Sequence, residues 1–259
     1  MKLHAGRGAV GKGGATVKSL DVFSCIGCHA IGFARAGIET AAFCEINPFR
    51  REQLRKIVGD KRIYEDIREP KIYSAPKSQV IIGGPPCQQT SKAAAIHGKR
   101  SGESLWPYML STGLAVGAEW FVVEQPPGHA AWEAEVGRNL SDADYHVSRI
   151  EFGACDIGAP YIRRRVFLVA CTSLPRLEIA WRTIPSAINR VKRAANARGD
   201  WDPDKLATIP VDAGSTREVG RERREMIEAL GDSNPPHMAE VIGRAIVSAN
   251  VSFERETKP

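Results

Sequence analysis

Short apolar runs alternate with amphipathic stretches along most of the chain. The apolar runs are rich in β-branched and aromatic residues, which is typical of buried strands. They lie at 17–23, 41–44, 80–82 and 120–123. The stretches between them predict helices that end near residues 36, 58 and 118. Strands that alternate with helices predict an α/β fold with a Rossmann-like, mostly parallel sheet.

The second half of the chain departs from this alternation. The runs at 146–152 and 166–170 are joined by a short Gly-Ala-Pro segment and predict a β pair. Residues 173–230 are rich in Pro, Gly and charge and show no clean period, so we expect a small separate lobe there. An amphipathic helix capped by Asn234 is expected at 235–250.

These patterns divide the chain into three parts. Residues 1–18 are Gly-rich and hold four basic and no acidic residues, so we expect a disordered tail. Residues 19–172 and 231–259 form the main domain, and 173–230 form the lobe. The net charge of +6 comes largely from the tail. A basic tail fits a polyanionic partner, and by composition alone it fits a solvated tail equally well.

Composition argues against several classes of protein. Six cysteines in 259 residues do not suggest a disulfide scaffold. Cys25-x-x-Cys28 fits a redox or half-zinc motif, but no second Cys/His pair stands at metal spacing, so we expect no metal. No apolar run approaches the ~20 residues of a membrane span, and the tail lacks the apolar core of a secretory signal. We therefore expect a cytoplasmic protein.

Reactive side chains stand at the ends of two predicted strands. Cys87 follows two prolines directly after the strand at 80–82, and Glu124 ends the strand at 120–123. Ligands of open α/β sheets bind at such strand ends, and proline stiffens the backbone that carries the thiol. Taken alone, the position of Cys87 is about equally consistent with a nucleophile and with a buried structural cysteine.

A small-residue loop after the first strand and an acid after the second are typical of nucleotide-like ligands. The loop is 24–28 and the acid is Glu45. Such a loop lets a ligand approach the backbone, and the carboxylate accepts hydrogen bonds from ribose hydroxyls. The fingerprint is imperfect and on its own is a weak signal.

Cys87, Glu124 and the arginines at 163–165 together suit one reaction. A thiolate adds to C6 of a pyrimidine, a carboxyl group protonates or hydrogen-bonds N3, and an arginine holds O2 as charge builds there. The ring then becomes nucleophilic at C5 and takes an alkyl group from a sulfonium.

The chain resembles the DNA (cytosine-5) methyltransferase family over about residues 19–250, as a compact, phage-like member. Seven blocks stand in the family's order, which is far more specific than any one block alone. They are 21–28, Glu45, Asp66, 84–88, Glu124, the pair Arg163 and Arg165, and 231–246.

The resemblance implies a donor, an acceptor and residue roles. S-adenosylmethionine is implied as donor, and a cytosine flipped out of double-stranded DNA as acceptor. Cys87 is implied as nucleophile, Glu124 as the group at N3, and Arg163 and Arg165 as ligands of O2 or the phosphate. The residues implied to bind the cofactor are Phe23, Ser24, Ile26, Gly27, Glu45, Ile46, Asp66, Ile67, Pro86, Asp232 and Ser233.

The family also implies how DNA is read. Its members read DNA sequence with the segment between the eighth and ninth motifs, which makes 173–230 a small target-recognition lobe. A short lobe suggests relaxed specificity or help from a partner, although for the basic residues after 173 a solvated face is the alternative. We expect a monomer, and a role in restriction–modification is one possibility. The residues implied to contact nucleic acid are Gln88, Ser91, Lys92, Arg182, Arg190, Lys192 and Arg193.

Several positions depart from the family pattern. Cys25 and Cys28 replace glycines, Tyr161 replaces a glutamine, and Asp232 replaces an asparagine near the amino-acid end of the donor. A charge at Asp232 predicts weaker donor binding or preference for a donor that lacks the carboxylate. The same chemistry on RNA and a catalytically impaired DNA-binding homologue remain open. Intact Cys87 and Glu124 argue against the impaired homologue.

Overall fold

The computed structural model describes residues 16–86, 104–202 and 217–257, with the side chains of 217–221 and 223 left aside. The basic tail up to residue 15 lies outside the described residues. In chain order the elements are β1 (Lys18–Val22), α1 (Cys28–Ala36), β2 (Glu39–Cys44), α2 (Pro48–Val58), β3 (Arg62–Tyr64), β4 (Val80–Gly83), α3 (Trp106–Val116), β5 (Trp120–Gln125), α4 (Ala130–Asp142), β6 (His146–Gly153), β7 (Arg164–Cys171), α5 (Leu174–Arg198), α6 (Arg217–Asp232) and α7 (Pro236–Thr257). Short 3₁₀ helices lie at Pro70–Ser74 and Ala154–Ile157.

The strands of the described residues form one seven-stranded sheet in the order β3-β2-β1-β4-β5-β7-β6. Strands β1 to β5 run parallel, whereas β7 is antiparallel to both β5 and β6. The predicted Rossmann-like, mostly parallel sheet and the predicted β pair are therefore confirmed. The strand order reverses between β1 and β4, so the crevice for a ligand opens at their carboxyl ends.

Helices cover both faces of the sheet and give it two hydrophobic cores. On one face α1, α5 and α7 bury residues such as Phe33, Val191 and Ile246 against β4, β5 and β7. On the other face α3 and α4 bury Met109 and Val136 against β1, β4 and β5. Because both faces are covered, the central strands read as continuous apolar runs, which is how the sequence predicted them.

Helix α5 is the largest difference from the sequence expectation. We expected no regular period over 173–230, and this is wrong for Leu174–Arg198, which is one continuous helix. Its buried residues recur at helical spacing and join the same core as the sheet and α7. They are Leu177, Ala180, Ile184, Ala187, Val191 and Ala195. Most of these are small or separated by charged residues, and Pro185 lies within the helix, so the pattern was obscured. The division of the chain into domains stays a prediction.

Two local expectations also differ. Arg62–Tyr64 pairs with β2 as a short strand, which is not among the strands predicted from the apolar runs. Asn234 does not cap the last helix, because α7 begins at Pro236 and neither polar atom of the buried Asn234 side chain has a hydrogen-bond partner among the described residues. Proline at the start of α7 fits the first turn, where no amide donor is needed.

No helix in the described ranges is both long and apolar enough to cross a bilayer.

The contact between α1 and α7 generates a stability prediction. A Cβ atom on Gly32 would clash with the carbonyl oxygen of Pro236 and lie 2.7 Å from the amide nitrogen of Glu240. Backbone cannot yield as a flexible side chain would, so Gly32→Ala should lower the free energy of unfolding by about 3 kcal/mol. Urea unfolding followed by circular dichroism measures this.

Gly137 on α4 is the matched control, since no described atom lies within 4 Å of a Cβ built there. Gly137→Ala should raise the free energy of unfolding by roughly 0.5–1 kcal/mol through better helix propensity. Equal effects of the two substitutions would contradict the close approach of α1 to α7.

Candidate active site

A cleft of about 480 Å³ opens at the carboxyl ends of β1, β2, β4 and β5. This is where the strand order reverses, so the sheet itself places the cleft. The cleft brings together many residues that the sequence singled out, although they come from distant parts of the chain. Those that line it are Phe23, Cys25, Glu45, Ile46, Asp66, Ile67, Pro86, Glu124, Arg165 and Asp232.

The loop between β1 and α1 forms one wall of the cleft. Phe23 and Cys25 adopt positive φ angles of 57° and 48°, conformations that L-residues rarely occupy. The Ser24 hydroxyl donates to the carbonyl of Asp21 at 2.7 Å. The buried Glu45 carboxylate accepts the amide of Cys25 at 2.7 Å and that of Asn47 at 2.8 Å. Glu45 therefore holds the strained loop in place from the end of β2.

The two cysteines that replace glycines are directed at α6. Cys25 Sγ donates to the carbonyl of Ala229 at 3.3 Å, and the Ser233 hydroxyl contacts the same thiol at 3.3 Å. Burial raises the pKa of Cys25 and raises the pKa of Cys28 to about 11. Both thiols are therefore protonated near neutral pH. No group of three or more potential metal ligands occurs in the part of the chain described.

Glu124 and Arg165 form a buried ion pair at the centre of the cleft. Glu124 lies opposite Phe167 in the β5–β7 register, which carries Arg165 alongside it. The Arg165 Nε atom is 2.7 Å from Glu124 Oε1, yet this oxygen has no well-aligned hydrogen bond to any described residue. Glu124 is only 7% exposed. The buried carboxylate thus keeps acceptor capacity for another partner.

Gly84 and Gln125 shape the strand ends around this carboxylate. A Cβ atom on Gly84 would lie 2.6 Å from Glu124 Oε2, so the chain can pass the carboxylate only because residue 84 is glycine. The Gln125 side-chain amide donates to the carbonyl of Pro85 at 2.5 Å. The end of β5 therefore holds the Pro-Pro turn that leads to Cys87. Sequence reasoning did not assign a role to Gln125.

Arg163 makes contacts other than those expected. Its Nη2 atom donates to the carbonyl of Gly231 at 2.5 Å and to the carbonyl of Ser233. Arg163 itself has a φ of 30°. The guanidinium therefore connects the β6–β7 loop to the end of α6 and to Ser233 just after it, whereas we expected it at the base or the phosphate. Arg165, two residues on, is the arginine that lines the cleft.

Two further acids of the cleft, Asp66 and Asp232, are paired with arginines. Arg68 holds the Asp66 carboxylate through Nε and Nη2, at 2.9 and 2.6 Å, which lowers the pKa of Asp66. Asp232 pairs with Arg50 of α2 at 2.5 Å. Sequence reasoning missed Arg50, which lies in the first turn of the helix that follows Glu45.

The predicted nucleic-acid contacts lie elsewhere or outside the described residues. Cys87 falls outside them, as do Gln88, Ser91 and Lys92. Four basic residues project from α5 and are exposed: Arg182, Arg190, Lys192 and Arg193. The Arg182 Nη2 atom lies 3.8 Å from Glu178 Oε2, one helical turn earlier in α5. These four residues do not line the cleft.

Comparison with solved structures shows the fold. The chain is similar to a DNMT2 from Spodoptera frugiperda, with a TM-score of 0.52 and 17% identity over 61% of this chain and 51% of that one. It is also similar to the Entamoeba histolytica methyltransferase EhMeth, with a TM-score of 0.51 and 17% identity over 62% and 55%. At this identity the likeness shows the fold alone, which is the Rossmann-like α/β fold described above.

Sequence comparison then gives the family. Residues 17–195 match the C-5 cytosine-specific DNA methylases, and the chain belongs to that family. It is 32% identical over 160 residues to Type II methyltransferase M.FnuDI of Fusobacterium nucleatum, covering 59% of this chain and 46% of that protein. It is 31% identical over 179 residues to Type II methyltransferase M.AquIA of a Picosynechococcus species, covering 59% and 71%. The chain spans about half the length of M.FnuDI and 42% of M2.BsuMI of Bacillus subtilis.

The thiol environments generate a labelling prediction. At pH 7.5, brief iodoacetamide treatment should alkylate the exposed Cys155 and leave four cysteines largely unmodified, because they are protonated and sheltered. These are Cys25, Cys28, Cys44 and Cys171, and burial raises the pKa of Cys44 to about 12. Peptide mapping by mass spectrometry reports each cysteine separately, and all should react in urea. Labelling of Cys28 as fast as Cys155 would show that the loop is open.

Proposed function

We propose that the protein transfers a methyl group from S-adenosylmethionine to C5 of cytosine in double-stranded DNA. The observation that carries the proposal is the buried Glu124, which lines the cleft, pairs with Arg165 and keeps acceptor capacity for a further partner. Membership of the C-5 cytosine-specific DNA methylases supports the reaction type. A base reaches such a buried carboxylate only when flipped out of the duplex.

The cleft residues fit an adenosine donor. A volume of about 480 Å³ lies within the range of small-molecule sites. Each Glu45 oxygen accepts one backbone amide and has a second lone pair for a ribose hydroxyl. Phe23 and the exposed Ile46 line the cleft and would offer apolar surface to an adenine ring. When bound, S-adenosylmethionine supplies an electrophilic methyl group on a sulfonium.

The chain's own residues activate the acceptor. The Cys87 thiolate adds to C6 of cytosine, and the electron pair of the C5–C6 bond moves toward C5 and N3. Glu124 binds N3, and Arg165 stabilises charge at O2 and orients Glu124. C5 takes the methyl group from the sulfonium, which leaves as a neutral thioether. A solvent base then takes the C5 proton, the C5–H electron pair re-forms the C5–C6 double bond, and the C6–S bond breaks to restore the Cys87 thiolate.

DNA binding is proposed to use the exposed basic face of α5 together with the segment that follows Cys87. Arg182, Arg190, Lys192 and Arg193 would contact phosphates, which position a duplex without specifying its sequence. The proposed setting is the cytoplasm of a bacterial or phage-infected cell, where such DNA is found, with the protein acting as a monomer. The relatives' names include the term Type II methyltransferase, so a role beside a restriction system is part of the proposal.

The reaction is tested first by label transfer. Purified protein, tritiated S-adenosylmethionine and mixed genomic DNA should give labelled DNA, and Cys87→Ala should abolish the label because no adduct forms. Total RNA is assayed in parallel, and bisulfite sequencing locates the methylated site. Label in RNA alone would show that RNA rather than DNA is the acceptor. Label that survives in Cys87→Ala would contradict the mechanism.

Glu124 gives a second, sharper prediction. Glu124→Gln keeps the shape and removes the charge that binds N3, so turnover should fall by about 10²–10⁴-fold. Thermal melting and S-adenosylhomocysteine affinity should change little. Exposed Glu135 on α4 is the matched control, and Glu135→Gln should leave turnover unchanged. Turnover of Glu124→Gln within twofold of the parent would rule Glu124 out as a catalytic residue.

A further inference from the structure

An ion pair spans the mouth of the cleft and joins elements far apart in sequence. Arg50 lies in the first turn of α2, and its backbone amide donates to the side-chain oxygen of Asn47 at 3.1 Å. Asp232 is the last residue of α6. Arg50 Nη2 is 2.5 Å from Asp232 Oδ2, and both residues line the cleft. The Arg50 side chain is 19% exposed and that of Asp232 is 63% exposed.

The shape of the cleft assigns this pair to one end of the proposed donor. The adenosine end lies with Glu45, Asp66 and Ile67, and the methyl group must face Glu124 to reach a base bound there. One wall, which includes Cys25, Arg50, Gly231 and Asp232, offers the amino-acid end a cation and an anion side by side. That wall has room, since no described atom lies within 4 Å of a Cβ built on Gly231.

The charges of the wall are complementary to an α-amino acid. A lone aspartate here would repel the donor carboxylate, but Arg50 neutralises Asp232 and presents a guanidinium beside it. A guanidinium binds a carboxylate through two parallel hydrogen bonds, and an aspartate binds an ammonium. When the donor binds, each side chain exchanges its protein partner for a charged group of the donor. Neither protein charge is then left unpaired, so the new contacts offset the cost of breaking the ion pair. Because Asp232 is paired with Arg50, its charge is not expected to weaken donor binding, which differs from the expectation from Asp232 alone.

We propose that Arg50 and Asp232 form the subsite for the zwitterionic end of the donor. Arg50 binds the α-carboxylate and Asp232 binds the α-ammonium. The inference rests on the proposed function, because it takes the donor to be an S-adenosyl amino acid. The competing interpretation is a tether, in which the pair only fastens α2 to α6 and never touches the donor.

Three ligands separate these interpretations by calorimetry in the absence of nucleic acid. They are S-adenosylhomocysteine, its decarboxylated analogue, which keeps the amine, and methylthioadenosine, which lacks both charged groups. Arg50→Met should weaken S-adenosylhomocysteine by about 10–100-fold and leave the other two within about twofold, because only the first carries a carboxylate. Asp232→Asn should weaken both amine-bearing ligands and leave methylthioadenosine unchanged.

Matched controls lie on the same two helices. Arg55 of α2 donates to the carbonyls of Gly59 and Lys61 and does not line the cleft, so Arg55→Met changes the net charge equally and should not alter binding. Glu228→Gln, at an exposed residue of α6, is the matched control for Asp232→Asn and should not alter binding. Equal weakening of all three ligands by Arg50→Met would show a tether and overturn the proposal.

The failure of this proposal is distinguishable from failure of the proposed function. If the parent protein methylates DNA and binds S-adenosylhomocysteine, but Arg50→Met and Asp232→Asn leave all ligands unchanged, only the subsite is wrong. If the parent protein binds none of the three ligands, the donor assignment fails and the subsite falls with it.

Discussion

The buried carboxylate of Glu124 is the constraint on which the rest of the site depends. A charge this far from water is costly unless it is paired and hydrogen-bonded. The antiparallel register of β5 and β7 supplies Arg165, and glycine at position 84 lets the end of β4 pass close to the carboxylate. The reversed β7 strand, at one side of an otherwise parallel sheet, therefore has a direct chemical consequence: it sets the guanidinium beside the acid.

The surrounding loops are held by main-chain hydrogen bonds rather than by hydrophobic packing alone. Glu45 accepts two amides of its neighbouring loops, and Arg163 binds one carbonyl in the last turn of α6 and one just after it. Cys25 and Ser233 connect the first loop to the end of α6. Residues from both ends of the chain thus converge on one cleft, and the positive φ angles of Phe23 and Cys25 are maintained by these contacts.

The sequence predicted the parts of the fold that follow from local periodicity. Buried strands appeared as continuous apolar runs, and their ends located Glu45 and Glu124 at one edge of the sheet, whereas Asp66 was singled out only through the family resemblance. Helix α5 was missed because small residues carry its buried stripe, and Asn234 was misassigned as a cap because the helix begins later. Arg50 could not be paired from sequence, since its partner lies 182 residues away and only tertiary structure brings them together.

Covalent trapping tests the central claim most directly. A DNA duplex with 5-fluorocytosine at the methylated position cannot lose a proton from C5, so the adduct should accumulate once the methyl group is transferred. The account predicts a denaturant-stable complex that requires S-adenosylmethionine, contains one methyl group per adduct and maps by mass spectrometry to Cys87. Methyl transfer to ordinary DNA with no trapped complex, or an adduct on another residue, would contradict it.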